Sequence, residues 1–286
     1  MRLVSFKKAG RIGLAASQRN GPFCGWFVKE DQYPGDLSTL VERGATGLAE
    51  AGERLLAGPE IDLSDAEYLP PLPHPGKIIC IGLNYADHSA ESGFAVPSYP
   101  TVFARFASSL IGHEAPIILP RVSHQLDYEA EFVAVIGKGG RNIAKADALD
   151  HVIGYALFND ASIRDYQLRT PQWTVGKNFD GTGPFGPWLM TSDDLPPGCA
   201  GLRLQARLNG QIVQDASTND LVFDVATLVS TLSEAFTLSP GDIIVTGTPS
   251  GVGLARKPQL WMKAGDVCEV DLEGYGVLRN VIAAER

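Results

Sequence analysis

The stretch Asp127–Gly137, with the sequence DYEAEFVAVIG, decides how the rest of the chain is interpreted. Its apolar half is rich in β-branched residues and runs into a glycine turn, which is typical of a strand. Side chains alternate along a strand, so Glu129 and Glu131 are predicted on one face, roughly 6.6 Å apart. Two carboxylates at the end of an apolar strand repel each other and resist desolvation. They therefore need a shared proton, open water or a cation, and a hard divalent ion bound by oxygen ligands would satisfy both.

A second apolar segment, downstream of the first, also ends in polar residues. Residues 152–158 predict a strand that is followed directly by Asn159 and Asp160. An acidic residue at the end of a buried strand is the right kind of third oxygen ligand. Residues 161–168 then predict a short helix with Arg164 and Gln167 on one face.

Upstream of both strands, residues 84–93 predict a helix that Asn84 caps and Gly93 ends. Within this helix His88 and Glu91 are three residues apart and face the same way. A carboxylate beside an imidazole orients the ring and raises its basicity, so the pair is a candidate general base. Taken alone, a surface His–Glu contact is the commoner explanation of such a pair.

Taken together, these pieces and two glycine-rich loops resemble the motifs of the fumarylacetoacetate hydrolase superfamily. The motifs are GLNYADH at 82–88, DYEAE at 127–131, NDASIRDYQ at 159–167, GKNFD at 176–180 and TGTPSGVG at 246–253. Any one of them could occur by chance, but five in the family's order are highly specific. The resemblance runs from residue 77 to the C-terminus, which is about three quarters of the chain.

The resemblance implies a mainly β fold with short helices (α+β), whose catalytic core is a rolled mixed β-sheet that binds Mg²⁺ or Mn²⁺, usually in a homodimer. The implied metal ligands are Glu129, Glu131 and Asp160. The implied catalytic residues are His88 and Glu91, which match a water-activating pair on a mobile lid, and Lys177, which matches a lysine near the metal and the substrate. The positions implied to line the substrate pocket are Arg164, Gln167 and Thr248.

The reaction expected from this resemblance is hydrolysis of a carbon–carbon bond in a 2,4-dioxo acid of the acylpyruvate type, giving pyruvate and a carboxylic acid. A 2-oxo acid can chelate one metal ion, which then stabilises enolate charge as it develops. His88, assisted by Glu91, would activate water to attack the distal carbonyl.

Several alternatives to hydrolysis stay open. The same metal site could support isomerase or decarboxylase, hydratase or ureidoglycolate lyase chemistry on a related 2-oxo or 2-hydroxy acid. Lys177 could instead form a Schiff base with the substrate, or the cleft could bind a ligand without turnover.

Two departures from the family pattern bear on the substrate. Leu83 stands where many acylpyruvate hydrolases carry Arg, and Arg105-Phe106 replaces their Lys-Pro. Both differences are expected to alter the pocket for the distal end of the substrate. The segment Gln172-Trp173-Thr174 is a candidate for a selective wall of that pocket, and a core tryptophan is at least as good an interpretation.

Composition and charge narrow the class of partner. The 286 residues are 44% hydrophobic and 20% charged, as in an ordinary soluble globular protein. A net charge of −9 without a basic cluster argues against a nucleic-acid partner and an anionic membrane surface. The sequence has neither an apolar run long enough to span a membrane nor the apolar segment of a secretory signal. A cytoplasmic protein that acts on a small molecule is therefore expected.

A proline-rich segment divides the chain. Four prolines between residues 70 and 75 hold the backbone extended and remove donors, as in a linker. Residues 1–73 are therefore predicted to form a small N-terminal accessory domain, and residues 74–286 the catalytic domain. Within the first segment, residues 37–56 predict an amphipathic helix or a broken pair of helices.

Overall fold

The computed structural model of the protein describes residues 1–19, 21–91, 93 and 95–286. The strands are β1 Arg2–Lys8, β2 Arg11–Ser17, β3 Cys24–Phe27, β4 Glu67–Tyr68, β5 Ile78–Gly82, β6 Thr101–Arg105, β7 Leu110–Ile111, β8 Ile117–Leu119, β9 Leu126–Asp127, β10 Ala130–Ile136, β11 Val152–Asn159, β12 Ser162–Ile163, β13 Gly183–Thr191, β14 Arg203–Leu208, β15 Gln211–Ser217, β16 Ile243–Val245, β17 Val267–Leu272 and β18 Gly276–Ala284. The α-helices are α1 Leu37–Glu42, α2 Gly44–Leu56, α3 Ala86–Glu91, α4 Arg164–Gln167 and α5 Val225–Ala235. The predicted class, mainly β with short helices, is confirmed.

A large mixed sheet carries the candidate site. In the described residues it has eleven strands, and its main path runs β3-β2-β1-β13-β11-β10-β16-β5-β6. Strand β10 lies between β11 and β16 and pairs antiparallel with both. Every residue of β10 and of β11 is buried, which explains why both segments are continuously apolar rather than alternating.

The polypeptide packs on both faces of this sheet. Phe132, Ala134 and Ile136 of β10 belong to one apolar cluster, which includes residues of α5 and of the smaller sheet β15-β14-β17-β18-β8. The intervening Val133 and Val135 belong to a second cluster, with residues of β1, α1 and α2. The alternation of a strand therefore separates the two clusters.

The N-terminal segment contributes strands to the same large sheet. Strand β1 pairs with β2 in a tight hairpin and with β13 through Arg2↔Met190 and Leu3↔Leu189. The helical region at 37–56 is a broken pair, with the break at Arg43. The family resemblance and the linker still motivate the division into residues 1–73 and 74–286, which stays a prediction.

Two local predictions have different outcomes. The hairpin at Asn209-Gly210 is present, and the φ angles of 52° and 78° are those of a type I′ turn. The predicted capping role of Asn84 is wrong. Its side-chain amide donates to the carbonyls of Thr246 and Phe223 and accepts from the Phe223 N–H, so it joins two loops instead. Ser92, within the same predicted helix, lies outside the described residues.

None of the helices in the described part of the chain is both long and apolar enough to cross a membrane.

Candidate active site

The pairing of β10 with β11 brings the predicted metal ligands together. Glu129 directly precedes β10, Glu131 is its second residue, and Asp160 directly follows β11. The register pairs Ala130 with Asn159, and the Asp160 N–H donates to the Glu129 carbonyl at 3.0 Å. One carboxylate oxygen from each of Glu129, Glu131 and Asp160 lies within 4.8 Å of the others, and all three residues are buried.

Three buried cations surround two of these carboxylates. The Lys177 Nζ lies 2.6 Å from Glu129 Oε2 and 2.6 Å from Asp160 Oδ2. The Arg164 Nη2 lies 2.7 Å from Glu129 Oε1, and the Arg105 Nη1 contacts Asp160 Oδ1. Glu131 instead accepts the backbone N–H of Gly247. Positive charge is therefore distributed unevenly over the three carboxylates.

The uneven distribution shifts the two glutamate pKa values in opposite directions. Burial raises the pKa of Glu129, but Lys177 and Arg164 outweigh it and leave the pKa at about 2. Burial, together with the charges of Asp160 and Glu129, raises the pKa of Glu131 well above its usual range. Glu131 is thus the carboxylate with the least electrostatic compensation.

The donor set fits a hard divalent cation. Its members are carboxylate oxygens, which are the ligands that Mg²⁺ and Mn²⁺ prefer. The buried Glu131 carboxylate has a hydrogen-bond donor but no ion pair among the described side chains, and a buried anion of that kind is costly. A divalent ion at this point would compensate it. Glu129, Glu131 and Asp160 therefore remain the proposed ligands.

The predicted His88–Glu91 pair forms on the cavity that contains this cluster. His88 Nδ1 lies 2.8 Å from Glu91 Oε1, and both residues line the same cavity as Glu129 and Glu131. The Glu91 carboxylate also accepts the Gly251 N–H at 3.0 and 2.9 Å. Gly251 has a φ of 103°, and a Cβ there would lie 2.2 Å from the Val213 carbonyl oxygen. A glycine is required where α3 attaches to the loop at 246–253.

The predicted pocket residues also converge on this cavity, which has a volume of about 310 Å³. Arg164, Gln167, Lys177 and Thr248 line it. Arg164 Nη1 donates to Gln167 Oε1 at 2.8 Å, so these two face the same way as predicted. The Thr248 hydroxyl donates to the Ala130 carbonyl and accepts from Gln214. The roles of these residues stay predictions.

Asp127 is a residue that the sequence interpretation left without a role. It is fully buried, and its Oδ1 accepts the N–H groups of Tyr128 and Gly253 at 2.8 and 2.7 Å. Its Oδ2 accepts from Leu254 N at 2.9 Å and Arg164 Nε at 2.8 Å. Asp127 therefore fixes the loop after Gly251 and orients Arg164. The position of Asp127 in the DYEAE motif was the one feature of the sequence that could have indicated this role.

Arg105 and Phe106, whose difference from the family pattern was expected to alter the distal end of the substrate pocket, are both absent from the described lining of the cavity, and their effect on the substrate stays a prediction. The Arg105 side chain supports the proposed metal site instead. Its guanidinium is buried and donates to Asp160, Thr182, Ser109 and the Ala161 carbonyl. Arg105 therefore holds a proposed metal ligand. Leu83 and Trp173, by contrast, do line the cavity.

Comparison with known proteins identifies the family. A family model described as the C-terminal part of fumarylacetoacetate hydrolase matches residues 77–283. The chain belongs to the fumarylacetoacetate hydrolase family. This family contains metal-dependent hydrolases, isomerases and tautomerases.

Three members of the fumarylacetoacetate hydrolase family cover almost all of this chain. The mitochondrial oxaloacetate tautomerase Fahd2a of Rattus norvegicus is 42% identical over 288 residues, which are 99% of this chain and 91% of the relative. A fumarylacetoacetate hydrolase from Exiguobacterium antarcticum has a TM-score of 0.86 and 34% identity, with both chains fully covered. A maleylpyruvate hydrolase from Sphingobium, solved with manganese(II) and pyruvate, has a TM-score of 0.81 and 28% identity, again with full coverage of both chains.

Proposed function

We propose that this protein is a divalent-metal-dependent tautomerase that interconverts the enol and keto forms of oxaloacetate. The observation that carries the proposal is the position of the His88–Glu91 pair on the same cavity as the buried carboxylates. That arrangement offers a proton-transfer group beside a site suited to a 2-oxo acid. The oxaloacetate tautomerase from rat, at 42% identity over 99% of this chain, supports this choice of substrate.

His88 is the proposed proton carrier. Its Nδ1 faces Glu91, which stabilises the tautomer with a proton on Nδ1 and leaves Nε2 as the base. In the keto-to-enol direction, Nε2 takes a proton from C3 of the substrate, and in the reverse direction it returns that proton. The substrate oxygen takes a proton from water when the enol forms and releases that proton to water when C3 is protonated again. Glu91 keeps the ring oriented throughout, so the pair acts as one unit.

Lys177 is proposed to bind the oxygen on which charge develops. An ammonium group has three N–H donors, and Lys177 directs donors toward Glu129 and Asp160. Burial lowers the pKa of Lys177, but Asp160 and Glu129 outweigh it and raise that pKa above its usual value. The group therefore stays a charged hydrogen-bond donor. A Mg²⁺ or Mn²⁺ ion held by Glu129, Glu131 and Asp160 would supply Lewis-acid stabilisation of the enolate.

The test follows the decay of the enol absorbance of oxaloacetate in the presence of Mg²⁺ or Mn²⁺. We expect decay well above the buffer rate, and a loss of about 10²–10⁴-fold in His88→Asn, the range typical of a removed general acid–base group. Asp87→Asn, on the same helix but absent from the described cavity lining, is the matched control. Enol decay at the buffer rate, or equal rates for the wild type and His88→Asn, would refute the proposal.

Hydrolysis of an acylpyruvate is a second candidate. The same His88–Glu91 pair could activate water for attack on a distal carbonyl, and the maleylpyruvate hydrolase from Sphingobium has the same fold. Pyruvate release from acetylpyruvate, coupled to lactate dehydrogenase, distinguishes the two reactions because tautomerisation releases no pyruvate. A homodimer and a cytoplasmic location also stay predictions, and the rat relative is named as mitochondrial.

A further inference from the structure

The cavity above the carboxylates has a polar floor and an apolar wall. Among the described residues, the charged side chains on the floor include Glu129, Glu131, Arg164 and Lys177. The wall includes the apolar side chains of Leu83, Phe103, Leu168, Trp173 and Leu254. The cavity as a whole is larger than a four-carbon acid requires, because its volume of about 310 Å³ reaches the size of pockets for drug-sized ligands.

The wall has specific local supports. The Trp173 ring packs edge-on against Phe103, with ring centroids 5.6 Å apart. It also lies over Gly82, where a Cβ would approach the indole ring to 2.3 Å. The next residue, Leu83, has a φ of 58°. A leucine in this left-handed conformation is uncommon, and such strain concentrates at binding sites. Gly82 and Leu83 thus hold two apolar groups at the cavity surface.

The cations that line the cavity are already engaged with the protein. Arg164 binds Asp127, Glu129 and Gln167. Lys177 binds Glu129 and Asp160. The C4 carboxylate of oxaloacetate is attached directly to C3 and is short enough to stay at the polar floor. A longer acid whose far carboxylate reached the wall would lose hydration there without gaining an ion pair from the described lining residues, and that costs free energy. An apolar group would instead gain free energy by leaving water.

We propose that the site also tautomerises 2-oxo acids whose C3 substituent is an apolar ring, that is, arylpyruvates, and that Trp173 and Leu83 determine this specificity. The inference rests on the proposed tautomerase function. The reaction needs no additional reactant besides water: in the keto-to-enol direction the C3–H bond breaks as His88 Nε2 takes the proton and an O–H bond forms with a proton from water, and in the reverse direction the enol O–H proton goes to water while His88 returns a proton to C3. The aryl ring contacts the Trp173–Phe103 pair while the 2-oxo acid end occupies the polar floor.

The test compares phenylpyruvate with oxaloacetate as enol substrates of the intact protein. We expect turnover of phenylpyruvate, and in Trp173→Leu a fall of at least about tenfold in the ratio of kcat/KM for phenylpyruvate to kcat/KM for oxaloacetate, the scale of lost contacts in an apolar pocket. Trp173→Phe should recover much of that ratio. Trp188→Leu is the matched control, because Trp188 packs against Phe23 away from the cavity, and the ratio should not change.

The outcomes separate this inference from the function on which it rests. Turnover of oxaloacetate without turnover of phenylpyruvate overturns the inference and leaves the tautomerase proposal in place. A Trp173→Leu ratio equal to that of Trp188→Leu overturns the specificity role of the wall. Turnover of neither substrate overturns both proposals. Leu83→Arg should raise the KM for phenylpyruvate relative to the KM for oxaloacetate, because the new cation would favour a carboxylate. Such a change supports the apolar site.

Discussion

Asp127→Asn should destabilise the protein far more than its conservative character suggests. Asp127 is fully buried, and each of its carboxylate oxygens accepts from a pair of described donors. An asparagine has one acceptor oxygen and one NH₂ group, so two of those donors would face an NH₂ in either amide orientation. A buried donor without an acceptor costs about 1–3 kcal/mol. The substitution should therefore cost about 2–6 kcal/mol in the free energy of unfolding.

The assay is urea unfolding followed by tryptophan fluorescence, with the same buffer and metal concentration for each variant. Asp215→Asn is the control, because Asp215 makes a bidentate but exposed ion pair with Arg203, at 2.8 and 2.6 Å. An exposed pair contributes about 0–1 kcal/mol. If Asp127→Asn lowered the unfolding midpoint no more than Asp215→Asn, the structural role assigned to Asp127 would be wrong.

Three further predictions concern the backbone, the thiols and the N-terminal segment. Gly251→Ala should lower the unfolding midpoint more than Gly265→Ala. Both glycines have positive φ angles, in which an alanine is strained by about 1–3 kcal/mol, but only the Cβ at residue 251 would meet a backbone oxygen. Equal losses would contradict this reasoning. With a thiol reagent at pH 8, the native protein should react at Cys24 alone of the four cysteines, because the other three are buried and burial raises their pKa. The urea-unfolded protein should react at all four. Rapid labelling of a second thiol in the native protein would contradict this prediction. Deletion of residues 1–73 should cause aggregation, measured by light scattering, because it uncovers apolar residues such as Phe158 and Phe185; a monodisperse truncated protein would show that these residues are covered by other means.

The sequence was most informative where function and local geometry agree. The alternation of side chains along a strand predicted that Glu129 and Glu131 lie on one face. The position of Asp160 at the end of the next predicted strand indicated a third ligand. The structure brings these three residues together because the start of β10 pairs with the end of the antiparallel strand β11. His88 and Glu91 also meet as the spacing of a helix requires. Such contacts depend on a few neighbouring residues, so the pattern of the sequence is sufficient.

Hydrogen bonds between residues far apart in the sequence could not be predicted from the sequence alone. Asn84 has the side chain of a typical helix cap, yet its partners are Thr246 and Phe223, more than a hundred residues away. Arg105 lies 55 positions from Asp160, and no spacing rule connects them. A single arginine or asparagine has many possible partners, and only the packing of the sheet selects one of them.

The pairing of β1 with β13 has a consequence for the order of folding. The two strands meet through Leu3 and Leu189, so β1 cannot take its final place until β13, far along the chain, has been synthesised. The β1–β2 hairpin can close early and contacts α2. The apolar cluster that contains residues of α1 and α2 is completed only when β10, β11 and β13 have been made. Contacts so distant in sequence slow folding and leave apolar surface exposed meanwhile. The strands that complete the packing of residues 1–73 are thus made much later than these residues, and the nascent segment is one on which a chaperone would act.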